Sequence, residues 1–137
     1  MIDIQQVLHD HKLWVETDGV EGIRASLPNA DLSGLDLSGV DLSGATLRNV
    51  DLRGANLSDA CLYRAILEGA NLCGASLHKA DLNEADLYRA DLSEADLREA
   101  DLYQADMAGA NLSNARLTGA DMAGANLAGA NLSGANN

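Results

Sequence analysis

Acidic side chains recur at five-residue spacing through the middle of the chain, at positions 81, 86, 91, 96, 101 and 106. Two carboxylates held about 5 Å apart raise one another's pKa, and paired acids of this kind serve in general acid–base catalysis. The other side chains with reactive groups are few, namely His9, His11, His78, Cys61 and Cys73. What any of these groups does depends on the elements that position it.

The composition and charge argue against several classes of protein. The 137 residues carry a formal charge of −12, and such a surface repels both nucleic acid and anionic membranes. No apolar segment approaches the roughly 18 residues of a membrane span, and the first residues lack the basic and apolar regions of a secretory signal. We therefore expect a cytoplasmic protein, a location in which the two cysteines would be free thiols.

The spacing of leucine is the strongest structural signal. Leucine stands at every fifth position from 27 to 132, with Met107 and Met122 as the only substitutes, and a small apolar residue, mostly alanine, lies two positions before each. A helix would turn about 500° over five residues and spread these leucines around its surface. A continuous strand would send alternate leucines to opposite faces. Short extended segments with a turn every five residues would instead place all of them inside one tube.

The tandem of alanine, Asp or Asn, and leucine runs without interruption through residues 25–136 and resembles the pentapeptide-repeat family. The resemblance implies an all-β fold, a right-handed quadrilateral parallel β-helix in which four pentapeptides complete each coil. In the family the leucine and the small residue before it point inward, and the other three side chains face solvent. Residues 25–137 would then form about five and a half coils, stacked about 4.8 Å apart.

Residues 1–24 have a different sequence pattern. Apolar residues return there at the three- and four-residue spacing of an amphipathic helix, and Asp3 stands where an N-cap residue is expected. An open β-helix exposes unpaired backbone groups and core leucines at its ends. We therefore expect this segment to form a capping helix and connector, with Val7, Leu8 and Trp14 packed on the first coil.

Two kinds of turn are predicted between the pentapeptides. Near both ends of the tube, the position two after leucine is mostly glycine or asparagine, which favours a positive φ, as at the third residue of a type II turn. Between Asp59 and Gln104 this position carries mainly arginine, lysine and glutamate, and long side chains tolerate a positive φ poorly. We therefore expect a different turn geometry in the middle coils.

Stacked coils would align Asp41, Cys61, Asp81, Asp101 and Asp121 in one column. Adjacent carboxylates would lie about 4.8 Å apart, but Asp and Asn are the ordinary residues of the family at this position. Only one histidine falls within the repeats, so the parts of a Ser-His-Asp arrangement or of a metal cluster are missing. We predict that the protein is not an enzyme and has no catalytic residue, metal, other cofactor or small-molecule substrate.

Three tyrosines stand out on the predicted outer surface. Tyr63 and Tyr103 would lie two coils apart on one side, and Tyr88 on the neighbouring side. Exposed aromatic residues among charges commonly anchor protein interfaces, although tyrosines that merely stack across coils are an open alternative. We predict a scaffold or adaptor that acts through an unidentified protein partner. The predicted surface consists of Tyr63, Tyr88, Tyr103, Asp81, Glu84, Arg89, Glu94, Glu99 and Asp101.

Two further interactions are implied by the resemblance. Some family members bind DNA gyrase and are thought to imitate duplex DNA, so an acidic DNA mimic that acts on gyrase or topoisomerase is the alternative function. Sixteen acidic and seven basic side chains give residues 25–137 a charge of −9, against about 15 for duplex DNA of similar length. Several members dimerise through their last coils. A homodimer would use Met122, Leu127 and Leu132, with a monomer as the alternative.

Overall fold

The computed structural model describes residues 2–137 as one α-helix followed by a long, regular coil. Helix α1 spans Ile4–Glu16, and the carboxylate of Asp3 caps it by accepting the N–H of Gln6 at 3.1 Å. This helix is the only one in the described residues, and it lacks the length and apolar character needed to cross a membrane.

The coil is a parallel β-helix whose strands are single bridge residues, one at every fifth position from 26 to 136. Each bridge joins residues 20 apart, as in the pair Ser26 and Thr46, so four pentapeptides complete one coil. The Leu82 N–H donates to the Asp101 carbonyl in the next coil at 2.7 Å, and the Ala85 N–H closes the turn on the Leu82 carbonyl at 3.0 Å. The N–H groups of Asp81 and Glu84 also bond neighbouring coils, so this pentapeptide donates three bonds between coils and closes one turn.

Leucine and alanine fill the interior of the coil, as predicted. Core residues run from Ala25 to Leu117, and those of the central coils are at most 1% exposed. Side chains two residues apart point the same way in an extended segment, so each leucine shares the interior with the small residue before it. At the N-terminal end, Val7 and Leu8 of α1 pack against this core. Burial decreases toward the other end, where Leu132 is 42% exposed.

The prediction of two turn geometries is wrong. The residue two after leucine has a positive φ throughout the coil, 68° at Gly34, 55° at Arg64 and 59° at Glu94. The stacking of the coils explains this uniformity, because the turn residue also donates its N–H to the next coil, as Glu94 does to the Ser113 carbonyl at 2.9 Å. The hydrogen bonds between coils fix the backbone conformation, so the residues with long side chains in the middle coils adopt the strained positive φ.

Replacing one of these strained residues by glycine should stabilise the coil. Glu94 has a φ of 59°, and a left-handed conformation costs a residue with a Cβ about 1–2 kcal/mol. Part of the gain is offset by the greater flexibility of glycine in the unfolded chain. We expect Glu94→Gly to raise the free energy of unfolding by about 0.5–1 kcal/mol, measured by guanidinium denaturation. Glu94→Ala removes the same charge but keeps the Cβ, so an equal gain in that variant would contradict the explanation.

Candidate protein-interaction surface

The register of the coil brings the predicted acidic column together. Asp41, Cys61, Asp81, Asp101 and Asp121 are successive bridge partners, each 20 residues from the next. Two of the predicted tyrosines follow column residues by two positions and therefore lie on the same side of the coil, which we call the tyrosine side. The structure thus places an acidic column and two aromatic rings on one surface.

The aspartates of the columns mainly hold turns. Asp81 and Asp101 each accept, at 2.9 Å, the N–H of the residue two positions later. On another side, hydrogen bonds from the hydroxyl and N–H of Ser33 lower the pKa of Asp31, and they outweigh the opposing effect of Asp51 in the next coil. Asp51 thus raises the pKa of Asp31 in the expected direction, but the turn bonds dominate and the net shift is downward.

Other acidic groups are tied to arginines. The Arg98 guanidinium donates to both carboxylate oxygens of Asp96 at 2.8 and 2.7 Å, and these bonds lower the pKa of Asp96 to about 2. Burial raises the pKa of the Cys61 thiol, and the charges of Asp41 and Asp81 raise it further, so this thiol is a weak nucleophile at neutral pH. Within residues 2–137, no group of three His, Cys, Asp or Glu side chains is placed to hold a metal ion.

The three tyrosines differ in what covers their rings. Tyr63, Tyr88 and Tyr103 are 37%, 36% and 39% exposed. The guanidinium of Arg64 lies 5.2 Å from the centre of the Tyr63 ring, and that of Arg89 lies 5.1 Å from the Tyr88 ring. The residue after Tyr103 is instead a glutamine, whose amide donates to the Tyr103 hydroxyl at 3.3 Å. The Tyr103 ring therefore has no cation supplied by the following residue.

The charged residues of the predicted surface fall into two groups. Glu84 pairs with Arg64 at 2.7 Å, and Glu99 lies 3.9 Å from Lys79 and 3.7 Å from His78. The others include three acidic residues that have no ion-pair partner in the described part of the chain: Asp81, Glu94 and Asp101. Asp81 and Asp101 lie on the tyrosine side beside Tyr103, whereas Glu94 is ten residues, half a coil, from Gln104 and therefore lies on the opposite side. The negative charge available to a partner beside Tyr103 is thus that of Asp81 and Asp101.

A cleft of about 510 Å³ lies where α1 meets the tyrosine side. Trp14 and Gly19 form one wall, and Gly44, Tyr63 and Arg64 form the other. The sequence did not predict this cleft, because its walls depend on how α1 docks. No residue signals it in the sequence, since Gly44 is a turn glycine like Gly34 and Gly39 and a Cβ there would make only ordinary contact with the Trp14 ring, at 3.6 Å.

The predicted pairing residues lie in the last coil of the described residues. Met122 and Leu127 are half-buried there, and Leu132 is exposed. Together with Leu117 and Ala135, Met122 and Leu132 line a shallow apolar cleft of about 390 Å³. Pairing of two copies through this end stays a prediction.

Comparison with known proteins agrees with this architecture. The family model described as pentapeptide repeats matches eight copies that together extend over residues 23–136. A search of curated proteins gives no significant match.

Solved structures of similar proteins include Rfr23, a pentapeptide repeat protein from the cyanobacterium Cyanothece 51142, at 27% identity and a TM-score of 0.50, with 90% of this chain and 94% of that one covered. A pentapeptide repeat protein from the Arabidopsis thaliana thylakoid lumen is 37% identical, with 72% of this chain and 66% of that one covered and a TM-score of 0.46. One from Nostoc Pcc 7120 is 34% identical, with 89% of this chain and 95% of that one covered and a TM-score of 0.43.

A cytoplasmic location stays a prediction. The chain belongs to the pentapeptide-repeat family and forms a right-handed β-helix solenoid with an N-terminal helix.

Proposed function

We propose that this chain is a non-enzymatic interaction module, a four-sided β-helix that binds a partner protein through its tyrosine side and the adjoining Tyr88. The exposure of three tyrosines, each more than a third exposed, is the observation that carries the proposal. Large aromatic rings supply rigid contact area and are enriched among the residues that dominate binding energy. The β-helix contributes by holding the rings at fixed spacing, since two coils separate Tyr63 from Tyr103 by about 10 Å.

The charge of this surface favours a basic partner. Asp81 and Asp101 lie in the column beside Tyr103 without ion-pair partners in residues 2–137. A lysine or arginine of the partner placed on the Tyr103 ring would gain a cation–π contact, worth about 0.5–2 kcal/mol, together with attraction to these carboxylates. The stacked pair of Arg64 and Tyr63 shows the geometry within the chain itself.

Alanine replacement of Tyr63, Tyr88 and Tyr103 together should abolish partner capture. Loss of an interface anchor costs about 2 kcal/mol or more, which is roughly a 30-fold loss of affinity for one residue. The measurement is quantitative affinity capture from the native host with the full chain as bait, followed by a direct titration with each captured protein. Ser113→Ala changes the same repeat position on another side of the coil and should leave binding intact.

Two outcomes would argue against this proposal. One is an unchanged set of partners for the triple variant, which would remove the tyrosines from the interface. The other is binding that strengthens with salt, because attraction between opposite charges is screened by added ions.

The competing proposal is DNA mimicry directed at gyrase or topoisomerase. The free carboxylates of the acidic column favour it, whereas arginines neutralise acids elsewhere, as in Arg48 with Glu68 and Arg53 with Asp51. A gyrase supercoiling assay with and without the protein separates the two functions, because only a mimic should inhibit or protect the enzyme. An effect on supercoiling that the tyrosine variant retains would favour mimicry over the interaction module.

A further inference from the structure

His11 is a fully buried histidine on α1 at the junction with the first coil. Its Nδ1 accepts the N–H of Ala25 at 2.9 Å, and its Nε2 lies 2.9 Å from the carbonyl oxygen of Ser43. The Ala25 amide can only donate and the Ser43 carbonyl can only accept. The imidazole is therefore neutral, with its single proton on Nε2.

This ring replaces hydrogen bonds that a preceding coil would make. Inside the tube, the N–H of each alanine at Ala25's position bonds the leucine carbonyl of the turn before it, as Ala30 does with Leu27. The carbonyl at Ser43's position accepts an N–H from the coil before, as the Tyr63 carbonyl does from Gly44 at 2.8 Å. His11 supplies both partners at this point of the first coil, so one side chain takes the place of two backbone groups.

A second proton cannot be accommodated in this arrangement. It would have to sit on Nδ1, where it would face the N–H of Ala25 with no acceptor between them. Residues 17–24, the connector, join α1 to the first coil. The other groups at the ring are Trp14, stacked 5.4 Å away, Arg24 of the connector and Asp41 of the first coil. The carboxylate of Asp41 already accepts the N–H and hydroxyl of its turn at 2.9 and 2.6 Å, and Arg24 opposes a positive charge.

We infer that His11 makes the N-terminal cap a proton-sensitive device: its protonation at mildly acidic pH releases α1 from the first coil. Release would uncover the start of the leucine core at Leu27. It would also remove the Trp14 wall of the cleft beside Tyr63, so the solenoid would present different surfaces in neutral and acidic conditions.

The direction of the pH dependence follows from the surroundings of the His11 ring when α1 is docked. Burial lowers the pKa of His11, and the bond to Ser43 and the charge of Asp41 only partly oppose this effect. The released cap therefore binds the proton more tightly than the docked one. Docking is complete above the ordinary histidine pKa, about 6.5, and is lost as the pH falls below it. Each tenfold increase in the equilibrium constant for docking lowers the pH at which half of α1 is released by about one unit.

The only tryptophan of the chain reports directly on this event, because Trp14 stacks on His11. Titration of the full chain from pH 8 to 5 should shift the Trp14 emission to longer wavelength. It should also lower the protection of the Ala25 amide against hydrogen exchange, measured relative to its intrinsic rate at each pH, at least tenfold. Far-UV circular dichroism should retain the β-helix signal over this range. Emission wavelength, rather than intensity, is the readout, since an imidazolium quenches indole fluorescence without any movement.

His11→Gln is the decisive variant, because glutamine can accept from Ala25 and donate to Ser43 without titrating. It should lose the transition, whereas His9→Gln and His78→Gln should keep it, since His9 is an exposed residue of α1 and His78 lies in the coil. If glutamine undocks the cap at every pH, an NMR titration of wild-type His11 decides, because its ring and the Trp14 signal must share one midpoint. A wild-type chain that stays unchanged to pH 5, or a transition that persists in His11→Gln, would overturn the inference.

Discussion

Leu82→Asp is expected to unfold the central coils of the β-helix. Leu82 is completely buried in the core, and truncation of such a leucine alone costs about 2–5 kcal/mol. A carboxylate at this position would also be a buried group without a partner, which adds several kcal/mol. Since the whole stability of a domain is about 5–15 kcal/mol, one substitution should remove most of it.

The effect should extend beyond the substituted coil. Each coil of a solenoid is stabilised by contact with its two neighbours only, and Leu82 separates the part of the tube next to α1 from the C-terminal part. Guanidinium denaturation followed by far-UV circular dichroism should give a much lower midpoint, together with loss of native signal before denaturant is added.

Leu82→Met is the matched control for this substitution. Methionine already fills the same repeat position at Met107, where it is fully buried, and exchange of leucine for methionine usually costs less than about 1.5 kcal/mol. If the aspartate and methionine variants unfolded at the same denaturant concentration, the interior at this position could not be dry and packed.

The β-helix could be predicted from the sequence because one period fixes it. A leucine at every fifth position and a small residue two before it leave an inward-facing tube as the consistent solution. Four pentapeptides per coil is what the resemblance to the family implies, and the 20-residue register of the bridges agrees with it. The positions of Tyr63, Tyr88 and Tyr103 on two neighbouring sides follow from that register alone.

The turn geometry was mispredicted because local preference was given too much weight. Arginine and glutamate disfavour a positive φ as isolated residues, yet Arg64 and Glu94 adopt it in the coil. Their N–H groups bond carbonyls of the next coil, and the loss of these bonds would cost more than the strain. Long-range hydrogen bonds therefore override the local preference.

The junction of α1 with the tube could not be predicted in detail. Helical spacing identifies the apolar face of α1. It does not show that the most buried residue of this face is a histidine rather than a leucine. His11 was visible only as part of that pattern. Its two hydrogen bonds depend on the angle at which α1 crosses the first coil, and that angle is set by the connector.

The connector is the site of the second large effect, since Gly22→Ala should displace the cap. Gly22 has a φ of 77°, and a Cβ there would overlap the carbonyl oxygen of Asp10 and lie 2.5 Å from the Trp14 amide nitrogen. Both atoms belong to the backbone of α1, so neither can move aside without distorting the helix. The bond from the Ile23 N–H to the Asp10 carbonyl, 3.1 Å long, would break as well.

Gly34→Ala separates this collision from simple backbone strain. Gly34 has a comparable φ of 68°, but a Cβ there would meet no atom within 4 Å, so its cost should be limited to about 1–2 kcal/mol. Gly22→Ala carries the same strain and about 1–3 kcal/mol of overpacking in addition. Trp14 emission and exchange of the Ala25 amide should therefore report an undocked cap at neutral pH in Gly22→Ala alone. Equal behaviour of the two variants would mean that the close approach of connector and helix does not hold the cap in place.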